Sequence, residues 1–473
     1  MIHLRDYQSA AITQIRQAFR DGKRAPLLVM PTGSGKTVSF AAISQGAAAK
    51  GNRVLLLAHR IELIDQISDA LTDAQTPHGF VCSGYDRAIR QTMIASVQTL
   101  VRRLDAIPAP QLIIIDEAHH AICATYRKIV EHWPQAKILG VTATPIRASG
   151  EGLNELFDTM ILGPTVAQLT AQGYLVPARI FAPPTMDTSG LHIRMGDYVV
   201  SEAEALADRP SVTGDALAHY LKHAEGKRAL AFTVSVKHAH HVAEQFRNAG
   251  IPAYALDSGT DRTIRRKALK DFRNGFIKVL ASCDIFGEGL DVPAVEAGIL
   301  LRPTQSLALY IQQIGRCLRT FEGKTHALIF DHAGNVLRFG LPSEDRQWSL
   351  TGTESTKRAK KATLTVRVCA KCFSASRAGT PVCSNCGHPF EVSPREVAHK
   401  DGELQEITPE MLARKADRRM QGRARTLEEL EVFGRMKGFA PGWARRVWAA
   451  RQAKMTLGKA VNTLTAADEQ VAT

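Results

Sequence analysis

Apolar residues in this chain come in short unbroken runs separated by longer amphipathic stretches, and the alternation holds over the first 330 residues. The runs of the first half are Leu27-Leu28-Val29-Met30, Val54-Leu55-Leu56-Leu57, Leu112-Ile113-Ile114-Ile115 and Ile138-Leu139-Gly140-Val141. The second half repeats the design with Ala229-Leu230-Ala231-Phe232, Lys278-Val279-Leu280-Ala281, Ala297-Gly298-Ile299-Leu300-Leu301 and Ala327-Leu328-Ile329-Phe330. Runs this short with so few polar residues suit strands covered on both faces, and the intervening stretches are long enough for crossover helices. The pattern predicts two tandem α/β units, each a parallel sheet flanked by helices.

Breaks in the pattern mark the joints. From Gly163-Pro164 through Pro183-Pro184 to Pro210 the chain is interrupted by Pro and Gly, which reads as a linker with irregular inserts. From Pro342 to Ala362 it turns polar and ends in Lys357-Arg358-Ala359-Lys360-Lys361, a second linker. The expected organisation is a first α/β domain over 1–165, a linker or insert over 166–212 and a second α/β domain over 213–341. A linker over 342–364, a cysteine-rich ribbon over 365–392 and a basic, helical tail over 393–473 follow. No repeat of solenoid period is present.

Length and composition agree with this division. A chain of 473 residues is too long for one ordinary core, and 45% hydrophobic with 22% charged residues lies in the globular range. Met1-Ile2-His3-Leu4-Arg5-Asp6 carries charges where a signal peptide needs an apolar run, and no apolar stretch approaches the roughly 18 residues of a membrane span. A soluble, cytoplasmic protein without a membrane partner is the expectation. Lys and Arg number 60 against 46 Asp and Glu, a net charge of +14 that favours polyanionic partners. The excess is concentrated between Met411 and Lys459, where 13 basic residues face 4 acidic ones, a net of +9. Cys82, Cys123, Cys283 and Cys317 are scattered singles, expected as buried thiols in a reducing compartment, whereas Cys369, Cys372, Cys383 and Cys386 are clustered.

Pro31-Thr32-Gly33-Ser34-Gly35-Lys36-Thr37 follows an apolar run and precedes a helix expected to open at Val38. In such a loop, glycines let backbone N–H groups curl around phosphates, Lys36 neutralises the β/γ oxygens and the Thr37 hydroxyl holds Mg²⁺. The first glycine of the fuller phosphate-loop pattern is absent, and an ordinary turn is the rival reading. Ile113-Ile114-Ile115-Asp116-Glu117-Ala118-His119 supplies a second half-site. Two carboxylates emerge from a buried strand, Asp116 to coordinate the metal and Glu117 to orient and deprotonate a water. A helix N-cap is the plainer alternative.

Asp-Glu-Ala-His behind a phosphate loop resembles motif II of the superfamily 2 helicases, and further segments resemble that family's other motifs in order. Leu4-Arg5-Asp6-Tyr7-Gln8 resembles the Q-type motif, in which Gln8 would read the adenine edge. Ala58-His59-Arg60 and the segment Ala95 to Leu100 resemble motifs Ia and Ib, where the family grips the nucleic-acid backbone. Thr142-Ala143-Thr144-Pro145 resembles motif III, which couples hydrolysis to strand movement. Gly287-Glu288-Gly289-Leu290-Asp291-Val292-Pro293 resembles motif V, and Gln312-Gln313-Ile314-Gly315-Arg316-Cys317-Leu318-Arg319 resembles motif VI. The likeness covers roughly residues 1 to 335. It implies two RecA-like domains, ATP and Mg²⁺ as cofactors and DNA-coupled ATP hydrolysis. It assigns nucleotide contacts to Gly289 and Asp291 and coupling roles to His119, Thr142, Thr144 and Gln312.

Arg316 and Arg319 lie three apart on an expected helix, so both should face one side and stabilise charge on the transferring phosphoryl group. They can do so only if the second domain docks over the first; two solvated surface arginines are the rival reading. His119 in place of Asp, and Gln312 where DEAD-box RNA helicases have His-Arg, set the chain apart from that group. It is closer in resemblance to bacterial and prophage DNA helicases of the RadD-like and UvsW-like kind, through Leu301 to Ser306, Leu309-Tyr310 and Asp331 to Asn335. Single-stranded or branched DNA is therefore the expected partner, ahead of RNA.

Cys369-x2-Cys372-x10-Cys383-x2-Cys386 is a paired-knuckle pattern for a tetrahedral Zn²⁺ site, with disulfides, disfavoured in a cytosolic chain, as the rival. Trp443, Arg445, Arg446, Trp448, Arg451 and Lys454 interleave aromatic and basic residues on one expected helix. Base stacking with phosphate contact and simple packing of the tryptophans on the motor are equally open readings. For the whole chain, the alternatives to a DNA-remodelling motor are the motor part of a restriction complex and a DNA-binding scaffold with little ATPase activity. Intact Lys36, Asp116, Glu117, Arg316 and Arg319 argue against the scaffold.

Overall fold

The computed structural model describes residues 3–86, 88–147, 150–183, 186–194, 196–283, 295–352, 365–390, 421, 424, 426–450 and 452. Two compact units divide the chain, residues 1–391 and 392–473. The first unit contains two wholly parallel sheets. Its first sheet has the order β3-β4-β2-β5-β6-β1-β7. These strands are β1 (Pro26–Val29), β2 (Val54–Ala58), β3 (His78–Val81), β4 (Thr92–Ser96), β5 (Leu112–Asp116), β6 (Lys137–Thr142) and β7 (Thr159–Leu162). The second has the order β12-β13-β11-β14-β15-β8. Its members are β8 (Ala178–Phe181), β11 (Ala229–Phe232), β12 (Ala253–Ala255), β13 (Val279–Ser282), β14 (Ala297–Leu300) and β15 (Ala327–Asp331), with a short hairpin β9 (Ile193–Arg194) and β10 (Asp197–Tyr198) between β8 and β11.

Why the apolar runs do not alternate with polar residues is visible in the two cores of each sheet. Leu27, Val29, Leu55, Leu57, Ile113 and Ile115 pack on one face of the first sheet. Their neighbours Leu28, Val54, Leu56, Leu112 and Ile114 pack on the other. The second sheet divides likewise, Leu230 and Phe232 against one set of helices, Ala229 and Ala231 against the other. Successive side chains point to opposite faces, so a strand covered on both sides must be apolar throughout.

Two stretches expected as linkers do more than connect. Within the first, β8 pairs in parallel with β15 and forms an edge of the second sheet. Four short residues, Ala178-Arg179-Ile180-Phe181, gave too little periodicity to stand out among prolines. Within the second, residues 342–352 return to the first half. Leu350 O accepts N–H bonds from Leu153 (2.7 Å) and Asn154 (3.1 Å), and Glu151 bridges Gly352. Trp348 packs against a core of each sheet. Residues 353–364, with the basic Lys357–Lys361 run, lie outside the described residues. Among the described residues no helix is long and apolar enough to cross a membrane.

Trp348 thus ties the halves through apolar surface. Trp348→Ala should cost on the order of 2 kcal/mol, less than the loss of a fully buried indole, and should speed protease cleavage within 342–352. Denaturant unfolding and limited proteolysis indistinguishable from wild type would contradict this packing.

Candidate active site

Three adjacent strands of the first sheet, β5, β6 and β1, deliver the chemistry at their C-terminal ends. Phosphate-loop residues 31–37 follow β1, Asp116 ends β5 and Thr142 ends β6. Gly33 and Gly35 take φ of 86° and 80°, a left-handed conformation that side chains resist, and the loop passes into a helix at Lys36, two residues before the expected start. The helix N-terminus and loop N–H groups therefore face a single cleft, which suits an anion.

That cleft has a volume of about 640 Å³ and is lined by Lys36, Thr37, Asp116 and Glu117 from the first half and by Arg316 and Arg319 from the second. Lys36 Nζ donates to Met30 O at 3.3 Å. Burial pulls its pKa below the usual lysine value, against the pull of Glu117 and Asp116. Asp116 and Glu117 are each 6% exposed. Burial, then the adjacent Glu117 carboxylate, pushes Asp116 up to about 7. Glu117 Oε2 is buried without a hydrogen-bond partner among the described residues, and its backbone stands at φ 48°. An oriented, unsatisfied carboxylate beside a second acid and a hydroxyl is a set of hard oxygen donors, the kind Mg²⁺ takes. The residues fit a nucleotide with its metal.

His119 connects this acid pair to the next strand. Its Nδ1 lies 3.1 Å from Thr142 Oγ1 and 3.5 Å from Glu117 Oε2. Thr142 Oγ1 donates to Thr144 O (2.9 Å) and accepts from Thr144 N (3.2 Å). The 3.5 Å approach of His119 to Glu117, with the hydrogen bonds beyond it, thus joins the acid pair to the loop after β6. Gln312, also buried, lies on the helix Leu307–Cys317. Gly289 and Asp291 lie outside the described residues.

Gln8, to which the resemblance gives the adenine edge, packs against the phosphate loop. Its Nε2 donates to Ser34 O and Gly35 O, both at 3.2 Å, and its Oε1 accepts from Arg5 N at 2.9 Å. With both amide hydrogens committed to the phosphate loop, it braces that loop. Thr32 and Ser34 are buried with it. The open edge of the cleft instead presents Arg5, whose guanidinium lies 4.2 Å from the centre of the Tyr174 ring.

Arg319 is a further departure from expectation. The helix stops at Cys317, and Arg319 sits beyond it, bridged in antiparallel fashion to Leu175. It still reaches the cleft, since a Cβ placed on Gly33 would lie 3.3 Å from Arg319 Cγ. Close approach between the halves is set at Gly315, where a Cβ would lie 2.6 Å from Thr32 Cβ. Across the same cleft, Arg262 Nη2 meets Asp65 Oδ1 and Oδ2 at 2.9 and 3.0 Å, and Arg265 pairs with Glu62. These arginines of the helix Arg262–Arg273 carry no recognisable motif; only their spacing of three hinted at a shared face.

The cysteine cluster forms a ribbon in the same unit. A hairpin of β16 (Val366–Val368) and β17 (Ala375–Arg377) carries the first knuckle. All four sulfurs lie within 4.8 Å of one another, with Cys369–Cys386 at 3.7 Å and Cys372–Cys383 at 3.6 Å. Tetrahedral thiolates at about 2.3 Å from Zn²⁺ would stand roughly 3.8 Å apart. The donor set fits zinc, with no position left for a substrate. The ribbon is docked on the second sheet: Ala182 N donates to Phe373 O at 2.8 Å, and Phe181 bridges Ser374. Of the other cysteines, Cys82 and Cys317 are buried, Cys283 is half-buried and Cys123 is exposed, contrary to the expectation for the last.

In the second unit, Trp443 packs on Phe433 and Phe439, at ring distances of 5.9 and 4.6 Å. It belongs to a small local core, while Arg445 and Arg446 are exposed. Arg451 and Lys454 lie outside the described residues.

Two parallel sheets whose loops share one phosphate-binding cleft define a RecA-like, two-domain ATPase. Residues 1–147 match the family model described as "Type III restriction enzyme, res subunit", and residues 213–321 match the "Helicase conserved C-terminal domain". The chain is 36% identical to a 51.5 kDa protein of a Lactococcus phage, over 81% of this chain and 82% of the other. It is 30% identical to IRC3 of Saccharomyces cerevisiae, named as a proposed ATP-dependent helicase, over 70% of this chain but 51% of that one. It is 24% identical to the DNA 3'-5' translocase XPB2 of Sulfurisphaera tokodaii, over 67% and 79%. The chain belongs to the superfamily 2 helicases, ATP-hydrolysing motors related to restriction-enzyme subunits and DNA translocases.

Two outcomes test the site. Asp116 has a folded pKa above its unfolded value, so the folded chain retains a proton the unfolded chain has lost, and stability falls as pH rises from the carboxylate range through about 7. In chelator-treated protein, Asp116→Asn should gain stability over wild type across that interval and hold the gain above it; melting curves showing a pH-independent difference would count against it. Purified under reducing conditions, the protein should contain one zinc per chain by elemental analysis, and Cys383→Ser should lose it. A metal-free wild type would remove the zinc assignment.

Proposed function

We propose that this chain is a DNA translocase or helicase that couples ATP hydrolysis to remodelling of single-stranded or branched DNA, such as repair intermediates. The carrying observation is the cleft in which Arg316 and Arg319 of one half stand with Lys36, Asp116 and Glu117 of the other. ATP supplies the transferable phosphoryl group and Mg²⁺ shields its charge. Lys36 binds the β/γ oxygens, Thr37 and Asp116 hold the metal, and Glu117 orients a water and takes its proton. Arg316 and Arg319 meet the charge that spreads over the phosphoryl oxygens, a contribution of about 10³–10⁵ in related NTPases. Arg5 and Tyr174 offer a cationic and an aromatic face to the base.

Support for DNA as the track comes from the +14 charge and from a relative named as a DNA translocase. Gln98 Nε2 donates to His59 O at 3.2 Å and so joins the two loops proposed to grip the backbone. Zinc would hold the ribbon, and the ribbon would stiffen the edge of the second sheet at β8. The match of residues 1–147 to a restriction-enzyme subunit favours a second reading, the motor part of a restriction complex.

Phosphate release measured with single-stranded, duplex, forked and RNA ligands separates these readings. Single-stranded or forked DNA should stimulate most; preference for uninterrupted duplex would favour the restriction reading, and preference for RNA would overturn DNA as the track. Lys36→Ala and Glu117→Gln should abolish turnover, Glu117→Gln while still binding ATP, and Arg316→Ala should lower stimulated turnover by at least about 10²-fold. Near-normal hydrolysis in any of the three would remove the role given to that residue.

A further inference from the structure

Arg316 and Arg319 must be aimed across a gap between two sheets, yet the helix that carries the first ends at Cys317 and the second lies beyond that end. Helix C-termini leave carbonyls without intrahelical donors, and a cation near them is favoured by the helix dipole. Lys324, half-buried in the loop before β15, fills this position. Its Nζ donates to Cys317 O at 2.6 Å, to Arg319 O at 2.7 Å and to Val295 O at 2.6 Å, Val295 leading into β14. All three ammonium hydrogens are thereby used, two on the backbone that bears the arginines and one on the neighbouring strand.

The opposite side of the same backbone is held by the first linker, where Val176 N donates to Leu318 O at 2.9 Å. Between these holds the segment from Gly315 to Arg319 has little freedom to rotate, and its arginines enter the cleft at a fixed angle. We propose that Lys324 is a positioning residue for hydrolysis, its ammonium locking the end of the Leu307–Cys317 helix so that Arg316 and Arg319 face the phosphates. The inference rests on the reading of those arginines given above.

A neutral amine would not serve as well, having two hydrogens for three carbonyls. Burial draws Lys324 down to about 8. The groups around it are the Cys317 thiol, Glu296, Arg228, Arg319 and, further along the loop, His326. Glu296 is occupied with Lys227 at 3.6 Å and Arg228 at 3.5 Å. Burial pushes Cys317 up to about 12, so that thiol stays neutral while Lys324 titrates. Because the lysine's pKa lies below its ordinary value, the lock is complete on the acid side of about 8 and weakens as pH rises through it.

The test is DNA-stimulated phosphate release from the full chain, followed from neutral into alkaline pH, for wild type, Lys324→Arg, Lys324→Met and Arg316→Ala. Wild type should lose kcat above about pH 8 with little change in KM for ATP. Lys324→Arg, which stays charged, should keep kcat at neutral pH and abolish the alkaline fall. Lys324→Met should lower kcat about tenfold or more, equivalent to at least 1.4 kcal/mol in the barrier, and show no alkaline fall. Wild-type kcat in a folded Lys324→Met, or an unchanged alkaline fall in Lys324→Arg, overturns the proposal. Should Lys324→Met fail to fold, the Lys324→Arg profile decides alone. Full turnover in Arg316→Ala would instead overturn the reading of the arginines, which separates the two failures.

Discussion

Charge of both signs must meet at one point for a polyphosphate to be bound and cleaved, and neither sheet of this protein holds enough of it. Lys36, at a helix start, and Asp116 and Glu117, at the end of β5, belong to the first half, while Arg316 and Arg319 belong to the second. Most of the features between the halves serve that meeting. Gly315 permits the close approach to Thr32, and Trp348 packs apolar surface against a core of each sheet. Burial of Asp116 and Lys36 is unfavourable for each alone, and a bound nucleotide with its metal offsets both.

Some of the contacts that join the halves are weak individually, and that suits a motor. Arg262 with Asp65 is a partly exposed pair, worth about 0–1 kcal/mol after screening. Arg266 adds only a 3.9 Å approach to the same acid. A junction that includes such exposed pairs can be shifted by ligands that favour closure. A motor in which Arg316 acts as proposed needs this poise, because a permanently shut cleft would trap product and a permanently open one would leave Arg316 without a target.

Much of the molecule was legible in its residues. The eight apolar runs all fall on strands of the two sheets, and the Asp116–Glu117 pair and the phosphate loop meet in one cleft as their chemistry required. What escaped had a physical reason. The strand Ala178–Phe181 is an edge strand four residues long, stabilised by its pairing with β15 and not by its own pattern. Arg262 and Arg265 look like any solvated helix face until the acidic face of Ile61–Asp73 is brought opposite. The contacts of the Gln8 amide with Ser34 O and Gly35 O are likewise set by how the phosphate loop folds back on the first helix, which no sequence pattern reveals. Arg319 required knowledge of where the helix stops, and helix ends are the least local feature of a helix.

The proposed role of Arg316 makes hydrolysis depend on closure itself, and not on the mere presence of the right side chains. Gly315→Leu tests it, because a side chain there would wedge against Thr32 and hold Arg316 away from the first half without replacing any proposed catalytic group. The decisive measurement is DNA-stimulated phosphate release from this variant beside Arg316→Ala, with ATP binding measured in both. Turnover in Gly315→Leu should fall to the level of Arg316→Ala while ATP binding by the first half persists; wild-type turnover in the wedged protein would contradict closure as the condition for hydrolysis.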